Sequence, residues 1–99
     1  MDVVTSNFIS GKRVVRTLGL VMGSTIRARH IGNDIMAALR NLVGGEVREY
    51  SELIARSREE AVRRMVEEAT RMGANAVIDV RFATTQVMAG AAEILAYGT

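Results

Sequence analysis

The stretch from Arg71 to Phe82 constrains the fold of this chain more than any other segment. A long charged pattern with helical spacing stops at Gly73, and an apolar pattern typical of a strand begins within three residues. A glycine just beyond the last helical turn can adopt the left-handed conformation in which the free carbonyls of a helix are capped. The stretch therefore predicts a tight helix-to-strand turn that packs a helix onto a sheet.

The length and the apolar composition predict one small domain over residues 1–99. Hydrophobic residues make up 48% of the chain, whereas aromatic residues make up only 4%. The core must therefore consist of aliphatic side chains and methionine. Because this apolar fraction is at the top of the globular range, we expect a partner chain to cover part of the surface.

The absence of cysteine excludes disulfides, thiolate metal ligands and cysteine nucleophiles. The first residues lack the basic region and apolar run of a signal peptide. No apolar run has the length that a membrane span requires. These observations predict a soluble, cytoplasmic protein that has no membrane partner.

The charge pattern gives little support for nucleic acid as a partner. The net charge is +2, from 13 basic and 11 acidic residues. Lys12, Arg13, Arg16, Arg27 and Arg29 supply a basic region, but no aromatic platform accompanies them for base stacking. Contact with phosphates alone stays open, and its salt dependence would reveal it.

Hydrophobic periodicity predicts an α+β fold with two layers, in which two helices cover one face of a mostly antiparallel sheet. A short strand is predicted at residues 3–5. The region from Lys12 to Arg29 reads as extended and apolar on both faces, so we expect it to be buried on both sides. Gly19 and Gly23 within it predict a bulge, a bend or a close backbone approach.

Two helices are predicted after this region. The first begins at Asn33, a good N-cap, and ends at Gly44-Gly45. The second runs from about Ser51 to Met72 and carries glutamate–arginine pairs at i,i+4 on its outer face. The predicted pairs are Glu52/Arg56, Glu59/Arg63, Glu60/Arg64 and Glu67/Arg71. The predicted core-facing positions are Ile54, Ala61, Val62, Met65, Val66, Ala69 and Met72.

The last third of the chain predicts an antiparallel hairpin. One strand runs from Ala76 to about Val87, a turn follows at residues 86–90, and the last strand spans Ala92 to Tyr97. Strict alternation would place two sets of residues on opposite faces of the first strand. One set is Ile78, Val80 and Phe82, and the other is Val77, Asp79 and Arg81.

Six pieces of sequence, in this order along the chain, resemble the YbjQ-like family. They are residues 11–15 (GKRVV), 18–21 (LGLV), 31–35 (IGNDI), 41–45 (NLVGG), 73–78 (GANAVI) and 95–99 (LAYGT). Members are small domains without an established activity that are often labelled heavy-metal-binding. The resemblance implies a dodecin-like subunit in a homo-oligomeric ring, specifically a pentamer. Asp79 departs from the family, whose sequences tend to have glycine there.

The only histidine, His30, forms a candidate basic cluster with Arg27 and Arg29. A histidine can titrate near neutral pH or bind a metal, but the two arginines would repel a cation. We therefore favour a structural role at the start of the first helix. A heavy-metal site needs several cysteine or histidine ligands. One chain lacks them, which leaves only a ring of symmetry-related His30 or Asp79 side chains.

Asp79, Arg81 and Glu93 form a candidate polar cluster on the hairpin. If they converge in a pocket, they could perform acid–base chemistry. The simpler interpretation, which we favour, is an ion pair at a contact between subunits. The sequence contains no nucleophile motif and no phosphate-binding loop, so no catalytic residue and no cofactor are predicted.

Together these features predict a homo-oligomeric domain that binds a small ligand or a partner without catalysis. Two alternatives stay open. One is an enzyme with a site at subunit boundaries that uses Asp79, Arg81 and Glu93. The other is a metal-binding protein, as the family label suggests.

Overall fold

A computed structural model describes residues 1–27, 47–88 and 91–99. Within these ranges the elements are β1 (Asp2–Val3), β2 (Val21–Arg27), α1 (Val47–Arg71), β3 (Ala76–Val77), β4 (Arg81–Met88) and β5 (Ala91–Gly98). The α+β class is confirmed. The predicted helix from Asn33 to Gly45 lies outside the described residues, as do Arg29 and His30.

The main sheet has three antiparallel strands in the order β2-β5-β4. Ile94 of β5 stands opposite Thr25 of β2 on one side and Thr84 of β4 on the other. The predicted hairpin is thus confirmed, with β4 and β5 as its arms. A second, parallel pair joins β1 to β3, with Val3 opposite Val77.

Helix α1 covers one face of this sheet, mainly over β2 and β5. Its buried residues Ala61, Met65 and Ala69 recur every four positions, the spacing that forms an apolar stripe on a helix. The stripe packs against residues of the strands and of the turn before β4. The buried hydrophobic residues are Val21, Ala61, Met65, Ala69, Val77, Val80, Ile94 and Ala96.

The close backbone approach predicted at the strand glycines occurs at Gly23. A Cβ atom added there would overlap the backbone nitrogen of Met65 and lie 2.8 Å from the carbonyl carbon of Arg64. Two polar contacts hold the same elements together. Thr25 Oγ1 donates to the carbonyl oxygen of Ser57 (2.9 Å) and Arg64 donates to the carbonyl oxygen of Ser24 (2.7 Å).

The predicted helix-to-strand turn is confirmed at Gly73, which has a φ of 87°. The N–H of Gly73 donates to the carbonyl of Thr70, and the N–H of Ala74 donates to that of Ala69, both at 3.0 Å. This pair of bonds is the Schellman motif, which satisfies the last carbonyls of a helix. Ala74 also packs against the core. The turn therefore directs the chain straight from α1 into β3.

The helix differs from its prediction in three respects. It begins at Val47, four residues before the predicted Ser51. Of the predicted ion pairs, Glu60–Arg64 is confirmed at 3.2 Å, whereas Arg63 binds Glu60 and Glu67, and Arg71 binds Glu68. Adjacent glutamates at 59–60 and 67–68 offer each arginine partners at both i±3 and i±4, so spacing alone could not choose between them. Met72 is 37% exposed because it lies beyond the last helical residue.

Two strand predictions were too long. The region from Lys12 to Arg29 forms a strand only from Val21 onwards, and Val15 is 83% exposed. The strand from Ala76 to Val87 is interrupted at residues 78–80, where Asp79 has a φ of 53°. This turn breaks the alternation, so Val77 and Val80 are both buried although their positions differ in parity.

Candidate functional site

The described residues form a groove of about 670 Å³. It lies between the segment 9–21 and the end of α1 with the turn that follows. We call it the basic groove. It is lined by Ile9, Lys12, Arg13, Val14, Val15, Arg16, Thr17, Leu18, Gly19, Val21, Ala69, Met72, Gly73, Ala74, Asn75, Ala76, Val77, Ile78 and Thr99.

One wall of the groove is fixed by Lys12. Its Nζ donates to Oδ2 of Asp2 at 2.6 Å, and its backbone N–H donates to the carbonyl of Ile9 at 3.1 Å. The hydrogen bond from Lys12, together with its positive charge, lowers the pKa of Asp2 below its ordinary value. Because Asp2 pairs with Ala76 in the parallel sheet, this contact ties the extended segment to the floor of the groove.

The other end of this wall passes close to the helix C terminus. A Cβ atom added at Gly19 would lie 3.9 Å from Cε of Met72. Beyond Gly19 the chain enters β2 at Val21, which is buried in the core. The segment is therefore anchored at Lys12 and at Val21, and the residues between them bound the groove.

The groove floor depends on hydrogen bonds from the N-terminal residues. Val4 donates to the carbonyl of Val77 (2.9 Å), and Val80 donates back to the carbonyl of Val4 (3.1 Å). Arg81 reinforces this contact, because its guanidinium donates to the carbonyl oxygen of Thr5 at 2.8 Å. Arg81 thus holds the N-terminal segment beside the turn.

The electrostatics of the groove are one-sided. Lys12, Arg13 and Arg16 line it, and no aspartate or glutamate does. Arg13 and Arg16 make no hydrogen bond or ion pair with any residue that the structure describes. Apolar groups of Leu18, Met72 and Val77 line the same cavity. The arrangement can neutralise an anionic group while covering an apolar one.

The predicted polar cluster of Asp79, Arg81 and Glu93 is spread along the hairpin of one chain. Arg81 stands opposite Tyr97, whereas Glu93 stands opposite Thr85. The two charged residues are thus four register positions apart, roughly 13 Å at about 3.3 Å per residue. Asp79 occupies the turn before β4, where its backbone N–H donates to the carbonyl of Ser6 at 2.9 Å.

Of the predicted basic cluster of Arg27, Arg29 and His30, the structure describes only Arg27. Arg27 ends β2, with its Cα opposite that of Ala92. Arg29 and His30 lie outside the described residues. Among the residues that are described, no group of three or more histidine, cysteine, aspartate or glutamate side chains is placed to hold a metal ion.

The methionines divide between core and surface. Met65 is fully buried, as predicted for a core residue, whereas Met22 is 52% exposed on the sheet face opposite α1. Within the described ranges, no helix combines the length and apolar character needed to cross a membrane.

The groove itself was not predicted from the sequence. The uneven distribution of charge along the sequence could have indicated a basic surface, because residues 3–33 contain no acidic residue but five of the 13 basic ones. The prediction noted these residues as a basic region without locating a cavity beside them. The cavity forms only because residues 12–19 fold back over a turn more than fifty residues later in the chain.

An antiparallel sheet with one long helix on its face and a basic groove at the helix C terminus defines a small α+β domain. The chain belongs to the YbjQ-like family, whose sequence profile, described as "Putative heavy-metal-binding", matches residues 1–99. The donor groups of the described residues do not fit that description, since they form no metal-binding cluster and the chain has no cysteine.

Similar proteins carry the name UPF0145 protein and match nearly their whole length. The one from Methanosarcina acetivorans is 58% identical over 99 residues, covering 100% of this chain and 93% of the relative. The one from Archaeoglobus fulgidus is 52% identical over 97 residues, covering 98% and 90%. The one from Thermus thermophilus is 56% identical over 101 residues, covering 100% and 89%.

Proposed function

We propose that this chain is the subunit of a homo-oligomeric ring of about five copies that binds a small ligand without catalysing a reaction. The observation that carries the proposal is the segment 13–20, which lies outside every helix and strand and which we call the assembly segment. The number five comes from the family resemblance, and the assembly itself from the state of this segment.

The assembly segment exposes apolar side chains that a lone chain would leave in water. Val14 is 55% exposed, Val15 is 83% exposed and Leu20 is 61% exposed. Fully burying a valine or leucine side chain stabilises a protein by about 1.5–3 kcal/mol. Three such side chains on one short segment thus provide a substantial driving force for association.

The backbone of the assembly segment is also without internal partners. None of residues 13–20 forms a backbone–backbone hydrogen bond with another described residue. An extended segment with free N–H and C=O groups is a template for pairing with another chain. A second copy of this chain always presents the same segment and the same sheet edges, and repeated head-to-tail contacts form a ring when the rotation between successive copies closes.

A charge placed on the assembly segment tests this proposal. In Val15→Glu, assembly would bury a carboxylate, so we expect sedimentation equilibrium to show a shift from oligomer to monomer. Ser10→Glu is the matched control, because Ser10 is exposed and the substitution adds the same charge just outside the segment. We expect Ser10→Glu to sediment like the wild type. A wild-type monomer at micromolar concentration, or equal behaviour of both variants, would refute the proposal.

The enzyme and metal alternatives have less support from the geometry of one chain. Arg81 and Glu93 lie four register positions apart, and no ion pair joins them among the described residues. A metal site built on Asp79 would need symmetry-related copies, because the described residues form no metal-binding group of side chains. The ligand-binding function depends on a groove present within one chain, which is why we favour it.

A further inference from the structure

The basic groove carries a local positive charge. The whole chain has a net charge of +2. Lys12 is neutralised locally by Asp2, at 2.6 Å. The two remaining cations of the groove, Arg13 and Arg16, have no anionic partner among the described residues. They lie three residues apart in the chain and both line the groove, so each lowers the electrostatic energy of an anion that enters.

The groove has the size and surface of a small-molecule site. Ligand pockets typically have volumes of about 300–1,000 Å³ and apolar walls with a few polar groups. The basic groove, at about 670 Å³, lies within this range. Leu18 and Met72 offer apolar contact, and Asn75 adds an amide that can donate hydrogen bonds.

One feature of the groove opposes an anion and has to be overcome. The C terminus of α1 carries a partial negative charge of about half an electron. Its last carbonyls are satisfied by the N–H groups of Gly73 and Ala74, and Arg71 lies in the last turn. Two full guanidinium charges exceed this partial charge, so the balance favours an anion.

We infer that the basic groove binds a small amphipathic anion, with a phosphate or carboxylate head and an apolar body. Arg13 and Arg16 bind the head, because guanidinium groups match the geometry of both anions. Met72 and Leu18 contact the apolar body. This inference names the ligand class for the proposed function and rests on it, but not on the number of subunits.

Calorimetric titration with four probes separates the contributions of the anionic head and of the apolar body to the binding affinity. Phenyl phosphate and phenylacetate carry both parts of the ligand, inorganic phosphate carries only the head, and benzyl alcohol carries only the body. We expect one or both of the first two to bind at least about tenfold more tightly than the last two, since head and body each contribute. Raising the salt concentration weakens this binding by screening the arginines.

The double variant Arg13→Gln/Arg16→Gln tests the residues. We expect it to weaken binding of the preferred probe by about tenfold or more, the effect of losing charge-assisted hydrogen bonds. Arg56→Gln/Arg58→Gln is the matched control, because it removes the same charge from exposed helix positions outside the groove. We expect the control to bind like the wild type.

Several outcomes would overturn the inference. They are no binding of either amphipathic probe, equal weakening by both double variants, or tighter binding of an oligonucleotide than of any small probe. Sedimentation of the same samples reports the oligomeric state, so failure of the anion site can be distinguished from failure of the proposed assembly. An oligomer that binds no probe contradicts the anion site alone, whereas a monomer that binds the probes contradicts the assembly alone.

Discussion

The backbones of Gly23 and Met65 are in direct contact, with no room for a side chain between strand β2 and helix α1. A Cβ at position 23 would overlap the Met65 nitrogen, and neither backbone can move without disturbing the core. We therefore expect Gly23→Ala to reduce the free energy of unfolding by about 3 kcal/mol or more, the upper range for overpacking. Urea denaturation at a fixed protein concentration measures this loss.

Gly73→Ala serves as the comparison for that substitution. A Cβ at Gly73 meets no atom within 4 Å, so only its φ of 87° is unfavourable for alanine. We expect a loss of about 1–2 kcal/mol, the cost of a left-handed conformation. If Gly73→Ala reduces the free energy of unfolding more than Gly23→Ala does, the result would contradict the close backbone contact between β2 and α1.

Asp79 stands in a conformation that suits glycine better. Its φ of 53° is left-handed, and its N–H is committed to Ser6. We expect Asp79→Gly to raise the free energy of unfolding by up to about 1 kcal/mol and Asp79→Val to lower it by about 2 kcal/mol, since a β-branched side chain fits this region worst. Thermal unfolding followed by circular dichroism compares the three proteins. A valine variant as stable as the wild type would contradict the turn at residues 78–80.

We expect alanine substitutions at Met65 and Met72, two methionines near the end of α1, to lower the free energy of unfolding by very different amounts. Met65 is fully buried, so Met65→Ala opens a cavity and costs about 2–5 kcal/mol. Met72 is 37% exposed, so we expect Met72→Ala to change the free energy of unfolding by no more than about 1 kcal/mol. Chemical denaturation of both variants is the check. Equal losses would show that the predicted stripe extends to Met72 after all.

The contact between Asp2 and Lys12 predicts a specific dependence on pH. Lys12 lowers the pKa of Asp2 below its ordinary value of 3.8, so the ionised carboxylate is favoured in the folded chain. The stabilising contribution is therefore present above pH 3.8 and is lost as the pH falls through the lowered pKa. We expect NMR titration to give a midpoint for Asp2 below 3.8.

Lys12→Gln removes the cause of this shift. In that variant we expect the titration midpoint of Asp2 to return towards its ordinary value, whereas Arg16→Gln leaves it unchanged because Arg16 makes no contact with Asp2. An unshifted wild-type midpoint, or an equal change in both variants, would mean that Lys12 does not anchor the segment.

The parts of this fold that could be predicted from sequence depend on local signals. The turn at Gly73 follows from a charged helical pattern, a glycine and an apolar run within a few residues. The hairpin of β4 and β5 follows from two strand-like patterns close together in the sequence. In both cases the residues that determine the structure are neighbours in the chain, so their spacing is informative.

The sequence predictions that failed depend on contacts between residues that are distant in the sequence. Apolar alternation predicted burial of residues 12–20 on both faces, whereas Val15 is 83% exposed and Leu20 is 61% exposed in the described chain. Periodicity shows which residues are apolar, but it cannot show whether another part of the same chain packs against them. Likewise, the positive φ of Asp79 occurs where the Asp79 N–H donates to the carbonyl of Ser6 and where Ile78 exchanges two backbone hydrogen bonds with Thr99, a residue distant in sequence. The basic groove joins segments distant in sequence, so charge composition marked Arg13 and Arg16 without showing what they face.

Native mass spectrometry of gently purified wild-type protein tests the central claim, that this chain works as an assembled subunit. We predict one dominant species of about five times the 10.8 kDa mass of a single chain. Activation in the gas phase should release intact monomers from it. A spectrum dominated by the single chain at micromolar concentration would contradict the assembly.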